Sequence, residues 1–407
     1  MKVYLIGCSA GTRNGLVQST LDIIDSAGLV IGAERLLNNI HPKRFGTKAL
    51  TAATEILAAI RESGEEQIAV LYSGDTGFFS GAKRLILLLN DSKIDYEVIP
   101  GHSSLSMAAA AFGLSYEAVK AISLHGRVRD MWSLKRAVTA GLMSGQPCFF
   151  LTDSYANPAL ICKCIAEAGC PDLIIHIGEN LGIPEQKLFS GTAAEAEERE
   201  FSPLSVVFSE AASVTQMAAV GLPDGEFIRE EGVPMTKRFV RSAILSALSM
   251  QPGDVFWDIG AGTGSVSIEA ALLNPTGIVF SVECESERAE LVRENRLKFH
   301  AFNMEIISGA APEVLSGLPA PDCVFIGGSN GYLPLIASSV LQANPEARIV
   351  ISAVTIETIS EAREIFAEKN IVFDTVTIDV SETKEVGAYH MIRGQNPVTL
   401  FIAGGRE

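Results

Sequence analysis

The 407-residue sequence has no apolar run approaching the roughly 18 residues that a membrane-spanning helix requires. It also lacks paired cysteines. The seven present are an odd, scattered set, whereas a disulfide framework or a zinc site wants paired spacing. Only Cys162, Cys164 and Cys170 cluster. Two residues apart, Cys162 and Cys164 would point to different sides of a helix, so buried thiols and no metal site are expected. Cations are scarce as well. Lysine and arginine total 32 against 48 aspartates and glutamates, a net charge of −16. That argues against a nucleic-acid partner, although a local basic patch can survive inside the total. Met1-Lys2 runs straight into the apolar Val3–Gly7, without the h-region or cleavage site of a signal peptide, so a cytoplasmic location is expected. Against these shortages stand 47% hydrophobic residues and a mean hydropathy of +0.26. Such a chain can bury large cores, and at about 150 residues per domain its length predicts two or three domains.

Short apolar runs alternate with helical patterns in both halves, which predicts α/β layers. In the first half the expected strands are Val3–Gly7, Leu29–Ile31, Ile68–Tyr72, Tyr96–Ile99, Cys148–Leu151, Leu173–Ile177 and Leu204–Phe208. Helical patterns between them include Leu16–Ser26, Thr51–Ser63, Ala82–Leu89 and Asn157–Ala168. The pattern then lapses. Residues 209–235 carry no strong strand, and Gly221-Leu222-Pro223-Asp224-Gly225 is a run of turn formers. The expected division is a domain over 1–212, a linker over 213–228 and a second domain over 229–407. The second series of strands is Val255–Ile259, Gly277–Val282, Met304–Ile307, Cys323–Ile326, Ala347–Ser352, Val372–Val380 and Val398–Ala403. The last two are long and joined by the polar stretch Ser381–Asn396, and are expected as an antiparallel pair closing an otherwise parallel sheet.

The clearest chemistry lies in the second half. The strand through Asp258 empties into Gly260-Ala261-Gly262-Thr263-Gly264, and a helix follows from Ser265. Glycines admit a ligand close to the backbone, and a helix start offers free N–H groups. The order G-x-G-x-G, with Asp258 two residues ahead, departs from the G-x-G-x-x-G of dinucleotide sites. It is the version used for S-adenosylmethionine (SAM), where no pyrophosphate must be cradled. Glu283 ends the next strand, about 20 residues beyond the turn, where a carboxylate can accept hydrogen bonds from ribose hydroxyls. A lone acid there would be read as a solvated loop residue; its register with the glycine turn favours ribose. The third strand tip, Ser308 to Glu313, is the expected place for adenine, and the fourth, ending Ile326-Gly327-Gly328, faces methyl donor and acceptor.

Along essentially its whole length this half resembles the C15-methylating, decarboxylating enzymes of corrin synthesis. The resemblance rests on Pro234-Met235-Thr236-Lys237-Arg238, on DIGAGTGSVSIEAA (258–271) and on PEVLSGLPAPDCVFIGGS (312–329). It implies that Thr236 helps bind SAM with Asp258, Gly260 to Gly264, Glu283, Ala310 and Ala311, and that Lys237 lies near the site. The family usually has aspartate at the position of Ala310, so a backbone group or water must hold the adenine amino group here.

In the first half, Ser73-Gly74-Asp75-Thr76-Gly77 and Pro100-Gly101-His102-Ser103-Ser104 are turns after buried strands, which suggests a ligand crevice. No lysine follows in the place a phosphate loop needs. AGLVIGAERL (27–36), VLYSGDTGFFSGAKRL (70–85), VIPGHSSLSMAAAAFGL (98–114) and SLHGR (123–127) resemble the C5-methylating branch of the tetrapyrrole methylases. The resemblance covers about residues 2–210. It implies a two-lobed fold and SAM contacts at Gly74, Asp75, Thr76, Ser103 and Ser104, with Gly7 and Met107 as further candidates. The family's Gly-Pro-Gly first loop is Cys8-Ser9-Ala10-Gly11 here. His102 beside its turn reads as a cap or filler. His125-Gly126-Arg127 can meet an acidic substrate, because arginine binds carboxylates bidentately.

Two such halves in this order resemble the decarboxylating precorrin-6Y C5,15-methyltransferases of cobalamin synthesis. The expected fold is a two-lobed tetrapyrrole methylase followed by a Rossmann-like SAM methyltransferase. The resemblance implies one SAM site per half and a polycarboxylate tetrapyrrole substrate; no membrane partner and a homo-oligomer are also expected. A basic rim is expected from Lys237, Arg238, Arg241, Arg127 and Arg129. Arg238 and Arg241, three residues apart, would share a helix face. Alternatives are a substrate already carrying cobalt, a first half that only binds substrate, and an RNA or protein methyltransferase. The last would want a basic face and, for base amino groups, an Asn/Asp-Pro-Pro-aromatic turn where Ile326-Gly327-Gly328-Ser329 stands.

Overall fold

The computed structural model of the chain describes residues 1–42, 46–214 and 220–405. It falls into two compact units. One takes Met1–Val128, Pro147–Lys163 and Asp172–Glu210; the other takes Arg129–Gln146, Cys164–Pro171 and Ala211–Glu407. Residues 215–219 of the expected linker lie outside the described residues.

The first unit holds two five-stranded sheets. In the first sheet are β1 (Lys2–Gly7), β2 (Leu29–Gly32), β3 (Thr47–Ala49), β4 (Gln67–Tyr72) and β5 (Asp95–Ile99), all parallel in the order β3-β2-β4-β1-β5. Parallel strands covered on both faces read as continuous apolar runs. Here Val3 and Leu5 of β1 pack with Ile60, Leu85 and Leu89 from two helices, while Ile6 packs on the opposite face with Ile24, Leu36 and Ile40. The second sheet has β6 (Lys120–Ser123), β7 (Cys148–Leu151), β8 (Ile174–Glu179), β9 (Lys187–Thr192) and β10 (Ser205–Ser209), in the order β6-β7-β10-β8-β9. Only its β6–β7 pair is parallel. These sheets are the two lobes of the expected tetrapyrrole methylase fold.

The second unit is built on β11 (Val255–Ile259), β12 (Ile278–Glu283), β13 (Met304–Ser308), β14 (Cys323–Ile326), β15 (Arg348–Ala353), β16 (Phe373–Ile378), β17 (Ser381–Val386), β18 (Tyr389–Gly394) and β19 (Val398–Ala403). Seven of these form one sheet, β13-β12-β11-β14-β15-β19-β16. The first five strands of that order are parallel, and β19 runs antiparallel between β15 and β16. The antiparallel closing pair is therefore present. Its polar connection is more than a loop, because β17 and β18 pair with each other as an exposed hairpin. The strand order reverses beside β11, so the carboxyl tips of β11 and β14 border the crevice where ligands bind in open α/β sheets.

Candidate active site

Two glycines bring three chain segments together at that crevice. Gly260 has φ +77°, and a Cβ on it would lie 2.7 Å from the backbone of Gly328, just past β14. Gly262 has φ +59°, and its Cβ would lie 2.6 Å from the Pro234 carbonyl. Only glycine tolerates both the conformation and the approach. Glu283, at the end of β12, closes the arrangement. Its Oε2 accepts the Gly262 N–H at 2.8 Å and its Oε1 the Glu285 N–H at 3.2 Å. Oε1 also accepts from the Cys284 thiol at 3.5 Å, whereas Oε2 keeps a lone pair for a ligand hydroxyl. The resulting cleft, about 260 Å3, is lined by Thr236, Gly260, Ala261, Gly262, Glu283, Ala310 and Ala311. Arg288, Cys284, Asn330 and Tyr332 also line it; the sequence reading missed them because no motif marks them.

Asp258, on the strand before the turn, and Thr263 and Gly264, at the turn's end, do not line the cleft. Asp258 is buried on β11, where its Oδ2 accepts a short hydrogen bond from the Ser267 hydroxyl. Burial pushes this carboxyl up to about 7, with Ser267 opposing and Glu283 adding to the rise. The Thr263 carbonyl accepts from Asn295 Nδ2 at 3.0 Å. A Cβ on Gly264 would meet Val292 at 2.9 Å, so this glycine lets the following helices pack.

In the first unit the tips of β1, β4 and β5 converge. A Cβ on Gly101 would lie 2.4 Å from the Gly74 carbonyl and 2.6 Å from that of Gly7. Asp75 ties two tips together, accepting N–H groups from Gly77 at 2.8 Å and Gly101 at 3.0 Å. Ser103 caps the helix Ser104–Phe112 through the Ser106 N–H. Thr76 is buried beside the turn, and Met107 packs near Gly182 of the second lobe. His102 donates its backbone N–H to Ser9 Oγ at 2.9 Å. His125 Nδ1 lies 3.1 Å from the Thr152 carbonyl, and the Arg127 guanidinium stands 5.6 Å over the Phe79 ring, close to the Gly74 loop. Asp153, next to this segment, is raised by burial but lowered more by the N–H groups of Gly126, Ala156 and Tyr155, so it lies below the ordinary carboxylate value.

The expected basic rim needs a correction. Arg241 is fully buried, with Nε bonded to Glu269 at 2.6 Å and its other nitrogens to Asp224, the Thr236 carbonyl and the Leu222 carbonyl. Glu269 is equally buried and also accepts the N–H groups of Gly221 and Leu222. Arg238 and Arg241 do share a helix face, but that face turns toward residues 221–224: the Arg238 backbone N–H donates to Asp224, and its side chain lies near Gly221. Arg241 therefore anchors the chain leading into the site and cannot serve as a solvent-facing cation. Lys237 is exposed and lines a larger cavity of about 950 Å3, which shares Pro234, Thr236 and Gly327 with the cleft. Arg127 and Arg129 are exposed. Among the described residues no cluster of three His, Cys, Asp or Glu side chains could hold a metal, and no helix is long and apolar enough to cross a membrane.

Comparison with known proteins meets this geometry in both halves. Residues 2–197 match the family model of the tetrapyrrole (corrin/porphyrin) methylases, and 226–404 match that of the precorrin methyltransferase domain. A Sinorhizobium precorrin-6Y C(5,15)-methyltransferase (decarboxylating) is 30% identical over 98% of this chain and 95% of its own length. The chain belongs to the decarboxylating precorrin-6Y C5,15-methyltransferase family. It is thus a methyltransferase, and SAM is the methyl donor that family implies. The Salmonella typhimurium cobalt-precorrin-6B C(15)-methyltransferase (decarboxylating) is 37% identical over 46% of this chain and 97% of its own. A crystal structure of the Geobacter metallireducens precorrin-6Y C5,15-methyltransferase is 38% identical, covers 47% of this chain and all of its own, and has a TM-score of 0.45.

Proposed function

We propose that this enzyme methylates one corrin precursor of the precorrin-6 type twice, with residues 1–212 acting at C5 and residues 229–407 at C15. The second half also removes the C12 acetate carboxyl group as carbon dioxide. Residues 213–228 link the two, and each half takes its own SAM. The observation that carries the reading is the Glu283 carboxylate. It accepts the Gly262 N–H through Oε2 and lines the cleft, with a lone pair on that oxygen left for a ribose hydroxyl. The lining fits: its glycines present backbone, Ala310 and Ala311 leave room for a flat base, and Thr236 borders both cleft and larger cavity. In the first half Gly74, Asp75, Thr76, Ser103 and Ser104 would hold the second SAM.

Bound in either place, SAM supplies an electrophilic methyl group. The protein's own part is positioning. The meso carbons of the ring resemble enamine carbons and are already nucleophilic, so alignment can supply up to about 7–11 kcal/mol of the barrier reduction. The glycine turn would hold the donor, and the lead-in segment 234–237 borders the larger cavity beside it. Decarboxylation leaves an electron pair on carbon, which the conjugated ring nitrogens accept. For that step the residues around the departing carboxylate must exclude water without pairing it to a strong cation. Lys237 is the candidate for holding the other carboxylates in the second half, and Arg127 and His125 are the candidates in the first. The enzyme is expected to act in the cytoplasm as a homo-oligomer, which light scattering on the purified chain checks.

Turnover of the full chain with methyl-deuterated SAM, read by mass spectrometry, tests the proposal on metal-free and on cobalt-containing substrate. Two labelled methyl groups and the loss of one carboxyl are expected. A product with one methyl and all its carboxyls would refute the reading, and the preferred substrate assigns the metal state of the ring.

A further inference from the structure

The hairpin β17–β18 has no counterpart among the motifs of the glycine turn, and its strands pair only with each other among the described residues. Its register places Glu382 opposite Arg393, Lys384 opposite Met391 and Val386 opposite Tyr389. Side chains alternate across a strand, and directly opposed residues share a face. One face therefore carries Glu382 and Arg393 at its base, Lys384 and Met391 at its middle, and Val386 and Tyr389 at its tip. The base lines the 950 Å3 cavity with Lys237 and Thr236. Glu382 is the one acid in that lining, and it accepts a hydrogen bond from Gln395 Nε2 at 2.9 Å. No ion pair among the described residues takes up Lys237, Lys384 or Arg393. In a chain of net charge −16, three unpaired cations around one cavity are a local excess that favours an anionic ligand. Above its base the hairpin is apolar and solvent-facing, with Val386, Met391 and Tyr389 exposed by 49%, 57% and 77%, and Ile392 on the opposite face by 77%. A ligand that complements both parts has an apolar body and a charged periphery. The cavity is at the upper end of the about 300–1,000 Å3 usual for ligand sites.

We propose that the β17–β18 hairpin is the substrate-binding strap of the C-terminal half. Lys384 and Arg393 take peripheral carboxylates of the tetrapyrrole together with Lys237, and Met391 and Tyr389 cover the face of the ring. The proposal rests on the substrate reading above and adds to it the residues that select a polycarboxylate. An isolated two-stranded hairpin is marginally stable in water, so ligand contact would also order the strap.

The test uses the full chain and its Lys384→Gln/Arg393→Gln double variant. Both are titrated with uroporphyrin, an octacarboxylate macrocycle, by fluorescence, and with SAM by calorimetry. At low salt the variant is expected to bind uroporphyrin at least about tenfold more weakly. The gap should narrow at high salt and be smaller for mesoporphyrin, a dicarboxylate. SAM affinity should not change. Equal uroporphyrin affinity in parent and variant, or no binding to the parent, overturns the proposal. So does a parallel loss of SAM affinity. A change in oligomeric mass accompanying weaker binding would assign the hairpin to a second copy of the chain and also overturn it. Methyl transfer by the parent is scored separately, so failure of the activity is distinct from failure of the strap.

Discussion

Replacing Arg241 by glutamine separates its two possible roles. Its guanidinium and the Glu269 carboxylate are both 0% exposed and 2.6 Å apart. Removing one partner of a buried pair strands the other charge, at a cost of about 3–5 kcal/mol. Glu269 would keep the N–H groups of Gly221 and Leu222, which argues for the lower end, about 3 kcal/mol. That is a large share of the about 5–15 kcal/mol that holds a typical domain together. At about 2–4 °C per kcal/mol for a unit of this size, the melting temperature should fall by about 6–12 °C. Both tryptophans, Trp132 and Trp257, belong to the second unit, so tryptophan fluorescence during thermal or urea unfolding follows that unit. Arg241→Gln/Glu269→Gln leaves no fully buried charge stranded, although the new amide at position 269 can accept only one of the Gly221 and Leu222 N–H groups, and should recover part of the loss, appearing as a coupling energy in the double-mutant cycle. Arg241 also holds the Thr236 carbonyl, so the single variant should bind SAM less tightly. If Arg241→Gln melts with the parent but shows a salt-dependent rise in KM, the side chain is a substrate cation and the buried network has been misjudged.

Gly262→Ala should weaken SAM binding about tenfold or more, through about 1–3 kcal/mol of strain and displacement of the Pro234 carbonyl; calorimetry showing parental affinity would refute this. Asp258 gives a pH dependence of defined sign. Its folded value, about 7, lies above the ordinary 3.8, so the folded state holds a proton that the unfolded state has lost between these values. Its favourable contribution is complete below the lower value and declines as pH rises through the upper one. Relative to the parent, Asp258→Asn should gain in urea midpoint from about pH 5 to about pH 8. Midpoints that stay parallel would contradict the assignment.

Strands buried on both faces were legible as apolar runs: Val255–Ile259 and Cys323–Ile326 are found at the expected residues, as is the partly buried Val398–Ala403. Of the strands without that signature, β5 and β16 were expected and others were not. β6 and β9 are only partly buried, and β17 and β18 are exposed along their whole length. The helix Ser104–Phe112 was hidden because its run of alanines has little amphipathic contrast. At the site, the register of Glu283 with the glycine turn followed from spacing, since a parallel strand pair delivers both tips to one edge. Arg241 was misread for a related reason. Spacing tells which residues share a helix face, but not that Glu269, on another helix, makes the inner face tolerate a charge. The cations at Lys384 and Arg393 were invisible because a polar hairpin looks like a loop in sequence.

The central claim is that one chain carries two separate methyl-transfer sites, with decarboxylation belonging to the second. Full-length Asp75→Ala and Glu283→Ala variants, each supplied with methyl-deuterated SAM and analysed by mass spectrometry of the product, test it most directly. The account predicts that Asp75→Ala still adds one labelled methyl and removes one carboxyl group, and that Glu283→Ala loses decarboxylation. Undiminished decarboxylation by Glu283→Ala, with its loss in Asp75→Ala, would contradict the account.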